Sequence, residues 1–183
     1  MGQAQGSMKI GILSDTHGFF HPELTRVFAG VDYILHAGDI GLECVIKSLE
    51  QIAPVIAVRG NIDGEDFYFT PKIEHRVLDG VHFAMTHNAG DIVRPAYDLR
   101  SRILQPDTDV LVSGHYHGYW CSLIDNGGHQ VLWLSPGAAG NSGHHTERTA
   151  LILTILPKAE RSGDLRHDLS LEKIHLGARE FFG

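Results

Sequence analysis

Lys9-Ile10-Gly11-Ile12-Leu13, followed at once by Ser14-Asp15-Thr16-His17-Gly18, sets the reading of the whole chain. The first five residues have the apolar, partly β-branched character of a buried strand, and the polar segment closed by glycine reads as a loop. A helix follows from about Pro22, where proline suits the first helical turn. Tyr33-Ile34-Leu35 gives a second strand ending in His36-Ala37-Gly38-Asp39. A second helix is expected over 42–51, and a third strand over 54–58 ends in Arg59-Gly60-Asn61-Ile62-Asp63. Apolar strands alternating with amphipathic stretches build a largely parallel, buried sheet. Ligands in such sheets gather beyond the carboxyl ends of the strands. Here those ends carry carboxylates, an amide and histidines.

The second half changes texture. Asp79-Gly80 and Asn126-Gly127-Gly128 are hairpin signals between strand-like runs, so antiparallel pairing is expected there. A strand over 81–85 ends in Thr86-His87-Asn88, a helix is expected over 94–104, and a strand over 109–112 delivers Ser113-Gly114-His115-Tyr116-His117-Gly118. Further strands are expected over 120–124, 130–134 and 151–156, a polar loop over 158–168, and a closing strand over 169–176. No internal repeat or domain boundary interrupts this pattern. Met1 to Ser7 reads as an appended leader before a native start at Met8, leaving 8–183 as a single domain.

The composition narrows the function classes. A chain of 183 residues with 43% hydrophobic and 20% charged residues can bury one sizeable core. The formal charge of −7, from 22 acids against 15 bases, offers no basic footprint for a phosphate backbone and disfavours nucleic acid as a partner. Cys44 and Cys121 lack the number and spacing of a disulfide framework, which suggests a reducing, cytoplasmic setting. No apolar run approaches the roughly 20 residues of a membrane span. The unusual feature is the 13 histidines, because neutral imidazole is the commonest metal ligand.

The polar residues at the strand ends are Asp15, His17, Asp39, Asn61, His87, His115 and His117. Taken singly each has an ordinary role: a helix cap, a turn residue, a strand-end polar group. Taken together they offer hard oxygen and borderline nitrogen donors with no thiolate. That mixture fits a pair of Mn, Fe, Zn, Co or Ni ions better than Ca or structural Zn. One shared carboxylate is needed to hold two cations roughly 3.5–4 Å apart, and Asp39, on the middle strand, is the natural bridge. In Asp15-Thr16-His17 and His115-Tyr116-His117, locally extended backbone would point the outer side chains one way and Tyr116 the other. Gly38, Gly60 and Gly114, each immediately before a donor residue, would permit tight turns and close approach.

The ordered set DTHG at 15–18, GD at 38–39, GN at 60–61, His87 after a strand and GHYH at 114–117 resembles the calcineurin-like metallophosphoesterase superfamily, and the short chain its small YfcE-type phosphodiesterase branch. The resemblance implies an α/β fold: a two-sheet β-sandwich flanked by helices in four αββα layers, without a cap domain. It places Asp15, His17, Asp39 and His117 around one metal and Asp39, Asn61, His87 and His115 around a second, so that His115 and His117 serve different ions. It also implies two divalent transition metals, manganese first, with Fe, Ni, Co or Zn compatible, and hydrolysis of a phosphate ester by metal-bound hydroxide. A phosphodiester is favoured over a monoester. Catalysis would centre on Asp39, Asn61 and His87, with a small phosphate-ester substrate, no membrane partner, and a homo-oligomer left open.

Three positions depart from the family pattern. Ile62 stands where many relatives have a histidine near the leaving group; general acid catalysis typically contributes about 10²–10⁴-fold, so low-pKa leaving groups should be favoured. Asn88-Ala89 follows His87 where relatives often continue Gly-His, and Ser135-Pro136-Gly137 replaces an Asn-Pro-Gly. The glycine-rich segment after it, with His144, His145 and Arg148, is a candidate rim that touches substrate phosphate. His36 is a candidate for support of Asp39 or for a backbone-satisfied core histidine. The same fold resembles the retromer subunit VPS29, which makes a metal-binding but idle interaction scaffold the alternative. DNA nuclease action meets the acidic balance and the lack of an accessory domain.

Overall fold

The computed structural model describes residues 6–91 and 93–178; most of the expected leader, residues 1–5, lies outside them. Among the described residues ten strands form two mixed five-stranded sheets. In the first, β1 (Met8–Leu13) pairs in parallel with β2 (Tyr33–His36), and β2 with β3 (Val55–Ala57). On the other side β1 pairs antiparallel with β9 (Glu147–Ile155), and β9 with β10 (Leu169–Ala178). In the second sheet β5 (Val81–Thr86), β6 (Val110–Ser113) and β8 (His129–Pro136) are parallel. Its edges are the antiparallel strands β4 (Ile73–Leu78) and β7 (Tyr119–Asn126). Both expected hairpin turns have left-handed backbone at their two central residues, Asp79-Gly80 and Gly127-Gly128. That backbone suits the two-residue turns whose twist matches their strands.

Alternation along β1 distributes its side chains between two cores. Ile10 and Ile12 join Phe83, Met85, Val110 and Val112 between the sheets. Leu13 faces outward, with Leu24, Phe28, Val45 and Leu49, beneath α1 (Glu23–Val27) and α2 (Glu43–Glu50). Gly11 lies on this outer face, where a Cβ would stand 3.0 Å from the Phe28 ring, so the small residue lets that aromatic close on the sheet. A third core, around Trp133, Leu111 and Leu99, covers the far face of the second sheet. The layers are therefore helix, sheet, sheet, helical turn, as the sandwich reading requires.

The helices are shorter than expected. In place of the helix over 94–104, the Asp91 carboxylate accepts from the amides of Val93 and Arg94 at 2.8 and 2.6 Å, and Gly90 bridges to Pro95. Such local capping competes with helix formation, and only a π-helical turn at Leu99–Ile103 remains. The expected loop over 158–168 contains a 3-10 turn, Lys158–Glu160, and α3 (Leu165–Asp168). The buried Asp168 carboxylate organises it by accepting from the amides of Ser162 (2.6 Å) and Gly163 (2.7 Å). Among the described residues no helix is long and apolar enough to cross a membrane.

Candidate metal centre

The donor residues do not share one sheet edge; they come from two sheets whose carboxyl ends meet. Asp15, His17, Asp39 and Asn61 follow strands of the first sheet, whereas His87, His115 and His117 follow strands of the second. Backbone hydrogen bonds stitch the loops together: Asp15 N to Gly38 O (3.0 Å), His17 N to Asp39 O (2.9 Å), Gly114 N to His87 O (2.9 Å) and Ala139 N to Ser14 O (3.0 Å). The glycines allow this approach. A Cβ at Gly60 would collide with the Asp39 carboxylate, and one at Gly114 with the Ser14 hydroxyl.

The backbone of the two histidine motifs is not extended. Asp15, His17, His115 and His117 have φ of 54°, 49°, 77° and 57°, and Asp39 has 52°. The left-handed region is reached by few non-glycine residues, with Asp and His among the more tolerant. The shared orientation of side chains two apart therefore comes from paired left-handed turns, not from strand alternation. Tyr116 is nevertheless exposed and stacks edge-on to His115, with ring centroids 5.0 Å apart.

Two tight donor groups result. One atom from each of Asp15, His17 and His117 lies within 4.8 Å of the others, and the same holds for Asp15, Asp39 and His87. Asp15 is common to both. The two Asp39 oxygens divide between the groups, Oδ1 at 3.3 Å from His87 Nε2 and Oδ2 at 3.8 Å from His17 Nε2. His117 Nε2 stands 3.2 Å from Asp15 Oδ1 and 3.4 Å from His17 Nε2. Asn61 and His115 sit beside the groups, with Asn61 Nδ2 3.3 Å from His115 Nδ1, while the His115 amide donates to Asp15 Oδ2 at 3.1 Å.

The ring tautomers can be read from their outer contacts. His87 Nδ1 donates to Ala37 O at 2.8 Å, leaving Nε2 as a lone pair aimed at the carboxylates. His145 Nε2 donates to Gly140 O at 3.0 Å, so its Nδ1 accepts from His117 Nδ1 at 3.2 Å and His117 Nε2 is bare. Buried polar atoms are nearly always satisfied, yet among the described residues Asp15 Oδ1 and His87 Nε2 are buried without a hydrogen-bond partner. Two orphaned ligand atoms beside a second carboxylate fit a bound cation.

Burial alone would raise the Asp39 pKa, but the adjoining His87 ring and the Ile62 amide, which donates to Oδ1 at 3.1 Å, hold it down at about 2. Burial pulls the His87 pKa down, and the Asp39 and Asp15 carboxylates more than reverse this. Burial lowers His17 and His115.

Asp63 is a supporting residue that the sequence reading did not single out. The Asp63 carboxylate accepts from the amides of Gly41 (2.8 Å) and Gly60 (2.7 Å), clamping the second loop to the third. His36 is fully buried; Nδ1 accepts from Gly38 N at 3.2 Å, so Nε2 donates to the Thr16 hydroxyl at 3.0 Å, which in turn donates to Ile40 O at 3.0 Å. It is thus both backbone-satisfied and a brace for the Asp39 loop. Of the rim residues, exposed His144 lines an opening of about 390 Å³ together with His115, His117 and His145. Arg148 is committed elsewhere, donating to Asn141 Oδ1 (2.7 Å) and Ala178 O (2.8 Å), so it braces the loop against β10.

Residues 8–158 match the model of the calcineurin-like phosphoesterase superfamily domain. The chain is 36% identical over 141 residues to "Probable metallophosphoesterase MJ0623" of Methanocaldococcus jannaschii, covering 73% of this chain and 69% of that protein. It is 30% identical over 148 residues to phosphodiesterase MJ0936 of the same organism, covering 71% and 83%. Vacuolar Protein Sorting 29 from Cryptosporidium parvum shares the fold at a TM-score of 0.63 and 14% identity, over 93% of this chain and 100% of that one.

Proposed function

The chain belongs to the calcineurin-like phosphoesterase superfamily, and on that footing we propose that it is a metal-dependent phosphate-ester hydrolase favouring phosphodiesters, its single domain spanning 8–183. The observation that carries this reading is the grouping of Asp15, Asp39 and His87, one ligand atom of each within 4.8 Å of the others, with Asp15 Oδ1 and His87 Nε2 orphaned among the described residues. Asp15, His17, Asp39 and His117 would hold one divalent cation, and Asp39, Asn61, His87 and His115 the other. Manganese is the first expectation, and the same donors suit Fe, Ni, Co or Zn. Such cations supply Lewis-acid charge at the phosphoryl oxygens and ease the ionisation of water near neutral pH.

The protein's own part is positional. Asp39, with its pKa near 2, stays ionised and offers one oxygen to each donor group. Ala37 O fixes the His87 tautomer and His145 that of His117, so both rings present Nε2 without reorganisation. Asn61 sits at the mouth, where its amide can reach a substrate oxygen. Ile62 is half exposed and offers no proton, so the leaving group departs unassisted from that position and aryl esters should be cleaved best.

Metal analysis should find about two transition-metal equivalents per chain, and Asp39→Asn should abolish turnover of an aryl phosphodiester while far-UV circular dichroism stays unchanged. Full activity after metal removal would overturn the reading. Metal binding with no cleavage across a panel of diesters and monoesters would favour the interaction-scaffold alternative.

A further inference from the structure

A cleft of about 500 Å³ opens at the metal centre, and its lining includes Asn61 and His87 together with Arg59, Lys72, Asp63 and Asn88. Its charges are unevenly engaged. The Asp63 carboxylate is occupied by the two loop amides. Asn88 Oδ1 accepts from Gly90 N at 2.9 Å, which leaves its NH₂ as a donor. Among the described residues Arg59 has no carboxylate partner and its buried Nε has no hydrogen-bond partner; Nη1 reaches Tyr68 O at 3.5 Å and the guanidinium lies 5.8 Å from the Tyr68 ring. Lys72 is exposed, and among the described residues its ammonium makes no ion pair. In a chain of formal charge −7 this lining carries two cations against one carboxylate, next to the predicted reaction centre.

Resting on the phosphoesterase reading above, we propose that this cleft receives one arm of the substrate and selects an arm carrying its own anionic group, a second phosphate, sulfate or carboxylate, bound by Arg59 and Lys72. The arrangement supplies what anion recognition needs. A planar guanidinium with no carboxylate partner among the described residues gives direction, an exposed ammonium gives charge, and the Asn88 amide adds a neutral donor. Asn61 and His87 line the same cleft, so an ester held at the metal donors places one substituent there.

Two measurements test this. In the first, metal-free isotope-labelled protein is titrated with inorganic sulfate and followed by NMR. Saturable shifts should centre on the amides of Gly60, Asn61, Lys72, Thr86 and Asn88, and Lys72→Gln should weaken binding about tenfold, as expected for one charge-assisted contact. Shifts confined elsewhere, or unaffected by both Lys72→Gln and Arg59→Gln, overturn the proposal. Lys72 is exposed, so its variant keeps the test valid even if Arg59→Gln folds poorly. In the second, kcat/KM is compared for propyl p-nitrophenyl phosphate and its ω-sulfonated analogue with the metal-loaded protein. The sulfonated arm should be preferred about tenfold, and the preference should fall towards unity in either variant. A parent ratio near unity overturns the subsite while the hydrolase reading stands. Sulfate binding in the cleft without turnover of either ester does the reverse.

Discussion

Acidification of the metal-free protein should expose the strain of keeping His36 neutral. The ring is fully buried, Nδ1 accepts from the Gly38 amide, and Nε2 donates to Thr16. A second proton, on Nδ1, would destroy the Gly38 contact and place a charge where no water reaches. Burial therefore outweighs the attraction of Asp15 and Asp39 and lowers the pKa from 6.5 to about 4. Because the folded pKa lies below the unfolded one, the unfolded chain binds more protons between the two values. Stability from this group is complete above the unfolded pKa and is lost progressively as the pH falls towards the folded one. A fall from 6.5 to about 4 corresponds to about 3 kcal/mol. Urea unfolding of chelator-treated protein, stepped from about pH 7.5 to about pH 4, should show this loss. His36→Asn, less stable at neutral pH, should show a shallower dependence by about that amount. Every other titrating group is common to both proteins, so it largely cancels in the difference. Parallel curves for parent and variant would refute the reasoning.

Two further outcomes concern the supports of the site. His145→Ala frees His117 Nδ1 and should weaken one of the two metals selectively, about 10–100-fold by equilibrium dialysis, while the other is retained. Gly60→Ala drives a methyl group into the Asp39 carboxylate; it should lower stability by about 1–3 kcal/mol in denaturant unfolding, together with a loss of metal binding.

The parts of the fold legible in the sequence were those fixed by local chemistry. The apolar alternation of β1 placed Ile10 and Ile12 in the inter-sheet core, and Asp79-Gly80 and Gly127-Gly128 fixed two hairpins because few other residues tolerate their backbone. The donor residues were legible because each follows a strand. Their local geometry was not: the spacing of Asp15-Thr16-His17 looks like strand alternation, yet side-chain spacing carries no sign of φ. The expected helix over 94–104 failed for a related reason, since helical propensity cannot foresee that Asp91 captures the amides of Val93 and Arg94. Contacts between distant loops were also invisible. His145 meets His117 across 28 residues of chain, and Arg59 and Lys72 line one cleft where Arg59 N bonds Pro71 O.

The left-handed backbone at Asp15, His17, Asp39, His115 and His117 has an implication for how this sequence can change. Each such residue is strained by roughly 1 kcal/mol, so five together approach the whole net stability of a typical domain. Glycine would relieve every one of them and delete a metal ligand each time. Glycine's greater freedom in the unfolded chain offsets much of that relief, so these positions hold ligand residues at little net cost in stability, and the pocket and the sandwich that holds it answer to different demands.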